Sequence, residues 1–232
     1  MPVQTIESRR LYRQVADQIE ALIAAGEFAP GDRLPPERDL AGKLGVSRAT
    51  VREAMIALEL AGLVDVRTGS GIYVLTPQAK SGEDKDAGPG PFELLDARRA
   101  IEGGVAALAA ANATDAEIDS LRAALDLMKR EQANGADTEE GDRLFHLEIA
   151  RATHNALLLR TVSEFWEWTR GPMWTRLNDN LYMRGNRPRW LAHHERVFDA
   201  IRRHDPDAAQ AAMREHIAQV KQQLLNVVDE NG

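Results

Sequence analysis

The sequence contains no cysteine, which excludes disulfides and thiolate metal sites alike. That fits a reducing cytoplasm. The N-terminus, MPVQTIESRR, lacks the apolar segment of a secretory leader. No run of about 18 apolar residues occurs anywhere in the chain. The expectation is a soluble, cytoplasmic protein with no membrane partner. Nor is there a surplus of positive charge: 29 Lys and Arg stand against 36 Asp and Glu, a formal net charge of -7. That balance argues against a general polyanion binder. Its distribution is uneven. Residues 1–75 hold 9 basic and 10 acidic side chains, and the remainder hold 20 and 26. The deficit belongs to the later part, and the earlier part can still carry a local basic face.

What is present points to helices. Alanine, leucine, glutamate and arginine dominate, and glycine and proline cluster in few places. With 232 residues and 44% apolar content the chain can form two domains with real cores. The stretch 76-TPQAKSGEDKDAGPGP-91 has no large apolar residue and reads as a solvated linker between 1–75 and 92–232.

In the first part, Tyr12, Val15, Ile19, Leu22 and Ile23 form a helix stripe. Pro35-Pro36-Glu37 opens a second helix that ends near Gly45. Ser47 is a good N-cap for a third, with Val51, Ala54, Met55 and Leu58 at buried spacing and Arg48 and Arg52 on another face. Gly62 ends it. Val64–Arg67 and Ile72–Leu75 then flank Thr68-Gly69-Ser70-Gly71, a hairpin signature. Helix, helix, tight turn, helix and hairpin make a winged helix-turn-helix, whose third helix enters the major groove of DNA. Arginine reads guanine edges best there, so Arg48 and Arg52 are candidate base readers. Ser47 and Thr50 can hold phosphate, Arg38 can approach the backbone, and Gly69 at the wing tip allows close approach. The competing reading makes the arginines solvated charges paired with Glu53 or Asp39.

The run GDRLPPERDLAGKLGVSRATVREAMIALELAGLVDVRTGSGIYV resembles the GntR family of bacterial transcription regulators. The family pattern is G-x-x-L-P-x-E-R-x-L-A, then V-S-R-x-T-V-R-x-A, then G-x-G-x-x-V. The resemblance implies that Arg38, Ser47, Arg48, Thr50, Arg52 and the wing glycine Gly69 contact DNA. It also implies a homodimer on a double-stranded inverted repeat. Ala49 departs from members that carry a second hydroxyl there.

Residues 92–232 read as all-helical, an antiparallel bundle of six or seven helices. Expected spans are 92–111, 115–132, 138–152, 156–168, 189–204 and 206–228, with 173–183 a further candidate. Asp142 and His146 stand at i, i+4 on one helix face, and His194 and His216 each lie in a later apolar stripe. One carboxylate and three imidazoles suit zinc, nickel or manganese. From spacing alone that signal is weak, and hydrogen-bonded core histidines are the commoner reading. His154 and His204 sit at helix ends and read as structural.

The later part also resembles the FCD ligand domain of the FadR-type GntR subgroup, in LLDARRAIEGGVAALAA, DRLFHLEIARATHN, HERVFDAI and MREHI. That resemblance implies a divalent metal on Asp142, His146, His194 and His216. It implies a small carboxylate effector beside the metal, helped by Arg98 or its neighbour Arg99. A finer resemblance, in RRLYRQVA, GSGIYV, GPFELLDARRAIE and FWEWTRGPMW, is to hexuronate-utilisation repressors. A sugar acid could then pair with Arg98, lie under Trp168 or Trp174 and meet Arg170. Two functions follow: an effector-controlled transcription factor, or a metal-dependent hydrolase or lyase with an accessory helix-turn-helix. The absence of a placed general base or nucleophile motif weighs against the enzyme.

Overall fold

The computed structural model describes residues 10–67, 70–76, 88–134, 140–181 and 187–229. The chain divides into two compact units. The first takes the described residues of Met1–Phe92, Gly171–Asn180 and Leu225–Gly232, and the second those of Glu93–Arg170 and Leu181–Leu224. No described helix is long and apolar enough to cross a membrane.

The first unit holds α1 (Leu11–Ala24), α2 (Glu37–Leu44), α3 (Arg48–Leu60), β1 (Val64–Arg67) and β2 (Gly71–Val74). Gly45 closes α2 in the left-handed conformation, φ 67° and ψ 30°, where a side chain would be strained. Ser47 then caps α3, its Oγ accepting from the Thr50 amide at 3.1 Å. Val51, Ala54, Met55 and Leu58 are buried as their spacing requires. Met55 and Leu58 each contribute roughly 1.5–3 kcal/mol by that burial. In α1, Tyr12, Val15, Ile19 and Ile23 are buried, but Leu22 is exposed and Ala16 takes the inward position. The strands pair antiparallel with Val64 opposite Val74 and Arg67 opposite Gly71. Residues of the α1–α2 connection join them: the Leu34 amide donates to Ile72 O at 2.8 Å, and the Val74 amide to Asp32 O at 2.9 Å.

α4 (Pro91–Asn112) begins in this unit. Pro91 has no N–H to leave orphaned, and the Phe92 amide donates to Glu53 Oε1 of α3 at 2.8 Å. Gly90 lies so close to that carboxylate that a Cβ there would fall inside it. α8 (Pro172–Leu181) groups with the first unit although it lies between helices of the second in sequence. Its Arg176 forks onto Glu59 of α3 with bonds of 2.9 and 2.6 Å.

The second unit is an all-α bundle built from α4, α5 (Asp115–Ala133), α6 (Glu140–Arg151), α7 (Ala156–Trp168), α9 (Arg187–Arg202) and α10 (Pro206–Asp229). α5 packs on α6 and α9, and α6 on α7. A full capping box starts α5, between Thr114 and Glu117. Asn155 caps α7 by accepting from two amides. Leu108 of α4 stands partly exposed, while Val105, Ala106, Ala109 and Ala110 are buried. Small residues let neighbouring helices approach that face, which turns Leu108 outward.

Candidate functional site

Two sets of residues carry the chemistry, one in each unit. At the start of α3, the Ser47 and Thr50 hydroxyls bond each other at 2.8 Å. Arg52 pairs with Glu37 of α2 at 3.0 Å, both nearly buried, rather than with Glu53 or Asp39. Burial raises the Glu37 pKa against the opposing pull of Arg52 and Arg48. Burial likewise lowers that of Arg52 against the pull of Glu37. Arg48 is half-buried, and Arg38 projects into solvent 3.5 Å from Asp39. Gly69 lies outside the described residues.

In the second unit, Asp142, His146, His194 and His216 come together, with one ligating atom of each within 4.8 Å of the others. The three rings form a tight group, His194 and His216 centroids being 4.2 Å apart. Asp142 Oδ1 lies 2.9 Å from His194 Nε2 and 3.3 Å from His146 Nε2. Outer contacts fix the rings. His194 Nδ1 donates to the Trp190 carbonyl at 2.7 Å, and His146 Nδ1 meets Glu102 Oε2 of α4 in a short contact. Glu102 in turn accepts from Arg98 Nε at 2.6 Å. Arg98, Glu102, His146, His194 and His216 are all buried, and the Phe145 ring stands edge-on to His194 at 5.3 Å.

Two atoms of this group are buried without a hydrogen-bond partner, His146 Nε2 and His216 Nδ1. Burial and the neighbouring His194 and His146 hold His216 well below the usual histidine range, so it is neutral. Burial would raise the Asp142 pKa, but His194 and His146 hold it well below the usual carboxylate range. Burial works against charge on His146, yet Glu102 and Asp142 raise its pKa. An ionised carboxylate, imidazole lone pairs with no donor, and outer acceptors that orient the rings are what a divalent cation requires. The donor set fits such an ion.

Glu102 and Trp166 escape a reading of the sequence. Trp166, not Trp168 or Trp174, stacks near His146, with ring centroids 5.6 Å apart. Trp168 is exposed, and Trp174 is buried in α8, in the first unit. Arg170 is on the surface, 3.6 Å from Glu167. His154 and His204 close helices with φ of 56° and 52°, and His204 donates to the Ala110 carbonyl at 2.9 Å.

Residues 11–74 match the family profile described as bacterial regulatory proteins, gntR family, and residues 93–219 match the FCD domain. The chain is 43% identical to the "Uxu operon transcriptional regulator" of Escherichia coli, over 94% of this chain and 88% of that protein. The chain belongs to the GntR family. It is a DNA-binding regulator of transcription with an FCD second half, not an enzyme. The "Exu regulon transcriptional regulator" of Escherichia coli is 38% identical, over 97% of this chain and 88% of that protein. McbR/YncC of E. coli shares the fold at TM-score 0.51 and 23% identity, over 94% of this chain and 98% of that one.

Glu102 generates a prediction for this GntR-family chain. Burial alone would raise its pKa, but Arg98 and His146 outweigh burial and hold it at about 2. A depressed carboxylate stabilises the fold fully above its unfolded value of 4.5 and loses that contribution as pH falls toward about 2. Glu102→Leu should cost about 3–5 kcal/mol in chemical denaturation, because it strands a buried arginine. Between those two pKa values the wild-type protein should lose stability more steeply than Glu102→Gln. Equal slopes would show that the Glu102 charge is not coupled to folding.

Proposed function

We propose that this regulator represses genes of sugar-acid catabolism, of the hexuronate and aldarate type, and leaves its operator when a small carboxylate effector binds beside a divalent metal. Zinc is the first choice of metal, with nickel or manganese as alternatives. Its ligands are Asp142, His146, His194 and His216. The observation that carries the reading is the meeting of those four ligating groups, their rings held from outside by Glu102 and the Trp190 carbonyl. When bound, the cation supplies a Lewis-acidic contact for an oxygen ligand. The identities to the Uxu and Exu regulators, with the sequence resemblance to hexuronate-utilisation repressors, support a sugar acid as that ligand.

Arg98 supplies positive charge next to the cluster, already oriented by Glu102. Arg170, a surface residue 3.6 Å from Glu167, and Trp174 of α8 are further candidates. On the DNA side, Arg48 and Arg52 read base edges, Arg52 by exchanging its Glu37 partner for a base; Ser47, Thr50 and Arg38 hold phosphate, and Gly69 brings the wing close. Two copies of the chain bind an inverted repeat in the cytoplasm. Effector and metal act by favouring a conformation with lower operator affinity, a coupling between two distinct sites.

Four outcomes follow. Arg48→Ala should weaken operator binding by about 1–3 kcal/mol and relax base preference at one position, read by fluorescence anisotropy on operator variants. Unchanged affinity would place the base reader elsewhere. His146→Ala combined with His194→Ala should lose chelator-resistant zinc on elemental analysis, and full occupancy would sink the ligand set. In the wild-type protein zinc affinity should fall as pH falls, since protons compete for His146, whose pKa is raised. Finally, at least one hexuronate should reduce operator affinity of the zinc-loaded protein; a panel with no effect would end the sugar-acid reading.

A further inference from the structure

Trp166 sits on α7 with 4% of its surface exposed. Its indole Nε1 is buried and has no hydrogen-bond partner among the described residues. A buried indole N–H normally finds an acceptor. Trp190 illustrates the rule, spending its N–H on Gln223 Oε1. The Trp166 ring is flanked by the cluster. Its centroid lies 5.6 Å from that of His146, tilted by 53°. The Arg98 guanidinium carbon stands over the same ring at 4.8 Å.

The chemistry of the orphaned atoms separates two needs. His146 Nε2 and His216 Nδ1 are also buried without hydrogen-bond partners, and a cation completes imidazole lone pairs. An indole nitrogen is a donor only, so no cation completes it. It needs an oxygen with a lone pair. The nearby protein carboxylates are committed: Glu102 to Arg98 and His146, Asp142 to His194. No described residue supplies the missing acceptor, which leaves that role to a bound molecule. An anionic oxygen suits the place best, since Arg98 lies over the same ring and a carboxylate satisfies both at once.

We infer that Trp166 is an effector-binding residue whose indole N–H donates to an oxygen of a small hydroxycarboxylate held beside the metal ligands and Arg98. The inference rests on the proposed effector site and deepens it. Trp166 discriminates by hydrogen bond: a ligand that offers no acceptor there leaves the N–H unpaired, and such sites reject the lacking analogue strongly.

The test uses the zinc-loaded full chain, with D-glucuronate, D-galacturonate and citrate as probes in calorimetry. In Trp166→Phe, which keeps an aromatic ring and removes the donor, affinity for the bound probe should fall about tenfold or more. Zinc affinity, measured against a chromogenic chelator, should not change. In the wild-type protein the ¹⁵N-indole resonance of Trp166 should move on titration with that probe. This second measurement needs no variant and decides the matter if Trp166→Phe does not fold. A hexuronate that binds both proteins equally, with the Trp166 resonance unmoved, overturns the inference and leaves the sugar-acid reading intact. Citrate binding that depends on Trp166, with no hexuronate binding, supports the inference and removes the sugar acid. If no probe binds the wild-type protein, both are overturned.

Discussion

Three imidazoles and a carboxylate cannot share a dry interior without partners, and much of the second unit answers that constraint. Rings so close together must each give a nitrogen to a fixed acceptor or leave it bare. His146 leans on Glu102 and His194 on the Trp190 carbonyl. Glu102 is itself buried and could not stay ionised there without Arg98 and His146. The result is a chain of compensations from Arg98 through Glu102 and His146 to Asp142. It draws α4 and α6 together around polar groups rather than around apolar ones. A half-satisfied network of this kind would be worse than an apolar core. The four ligating groups meet within 4.8 Å of one another, and that makes the place a site.

Helix α3 meets a related constraint on a smaller scale. Arg52 and Glu37 lie nearly out of solvent and face each other, so α2 and α3 are joined by charge as well as by apolar contact. Glu59 is tied to Arg176, and Glu53 to the start of α4. The acidic residues of α3 thus anchor the helix on its inner sides and leave its N-terminal turn as the part that faces outward.

Much of this was legible in the sequence because it follows local rules. Gly45, Ser47 and Gly62 mark the ends of α2 and α3 through conformations and caps that few residues supply. Asp142 and His146 at i, i+4 share a helix face, and His194 rather than His193 continues the stripe of Val197, Phe198 and Ile201. Glu102 was not legible. A glutamate in an alanine-rich helix reads as solvated, and it is His146, 44 residues later, together with Arg98 that makes it structural. Trp166 was harder still, since FWEW offers two tryptophans two positions apart, about 200° around a helix. The clue was Val162, four residues before Trp166 and likewise buried. Leu22 and Leu108 misled for the opposite reason: each fits an apolar stripe, but alanines take the inward positions.

Gly90 closes the glycine- and proline-rich stretch whose composition suggests a segment free to drift. Loops are usually where sequences change most readily. At residue 90 that freedom ends, because even one methyl group could be admitted only by pushing the Glu53 carboxylate off the Phe92 amide. The end of that freedom is set by an oxygen atom on another helix, two residues before composition alone would place it.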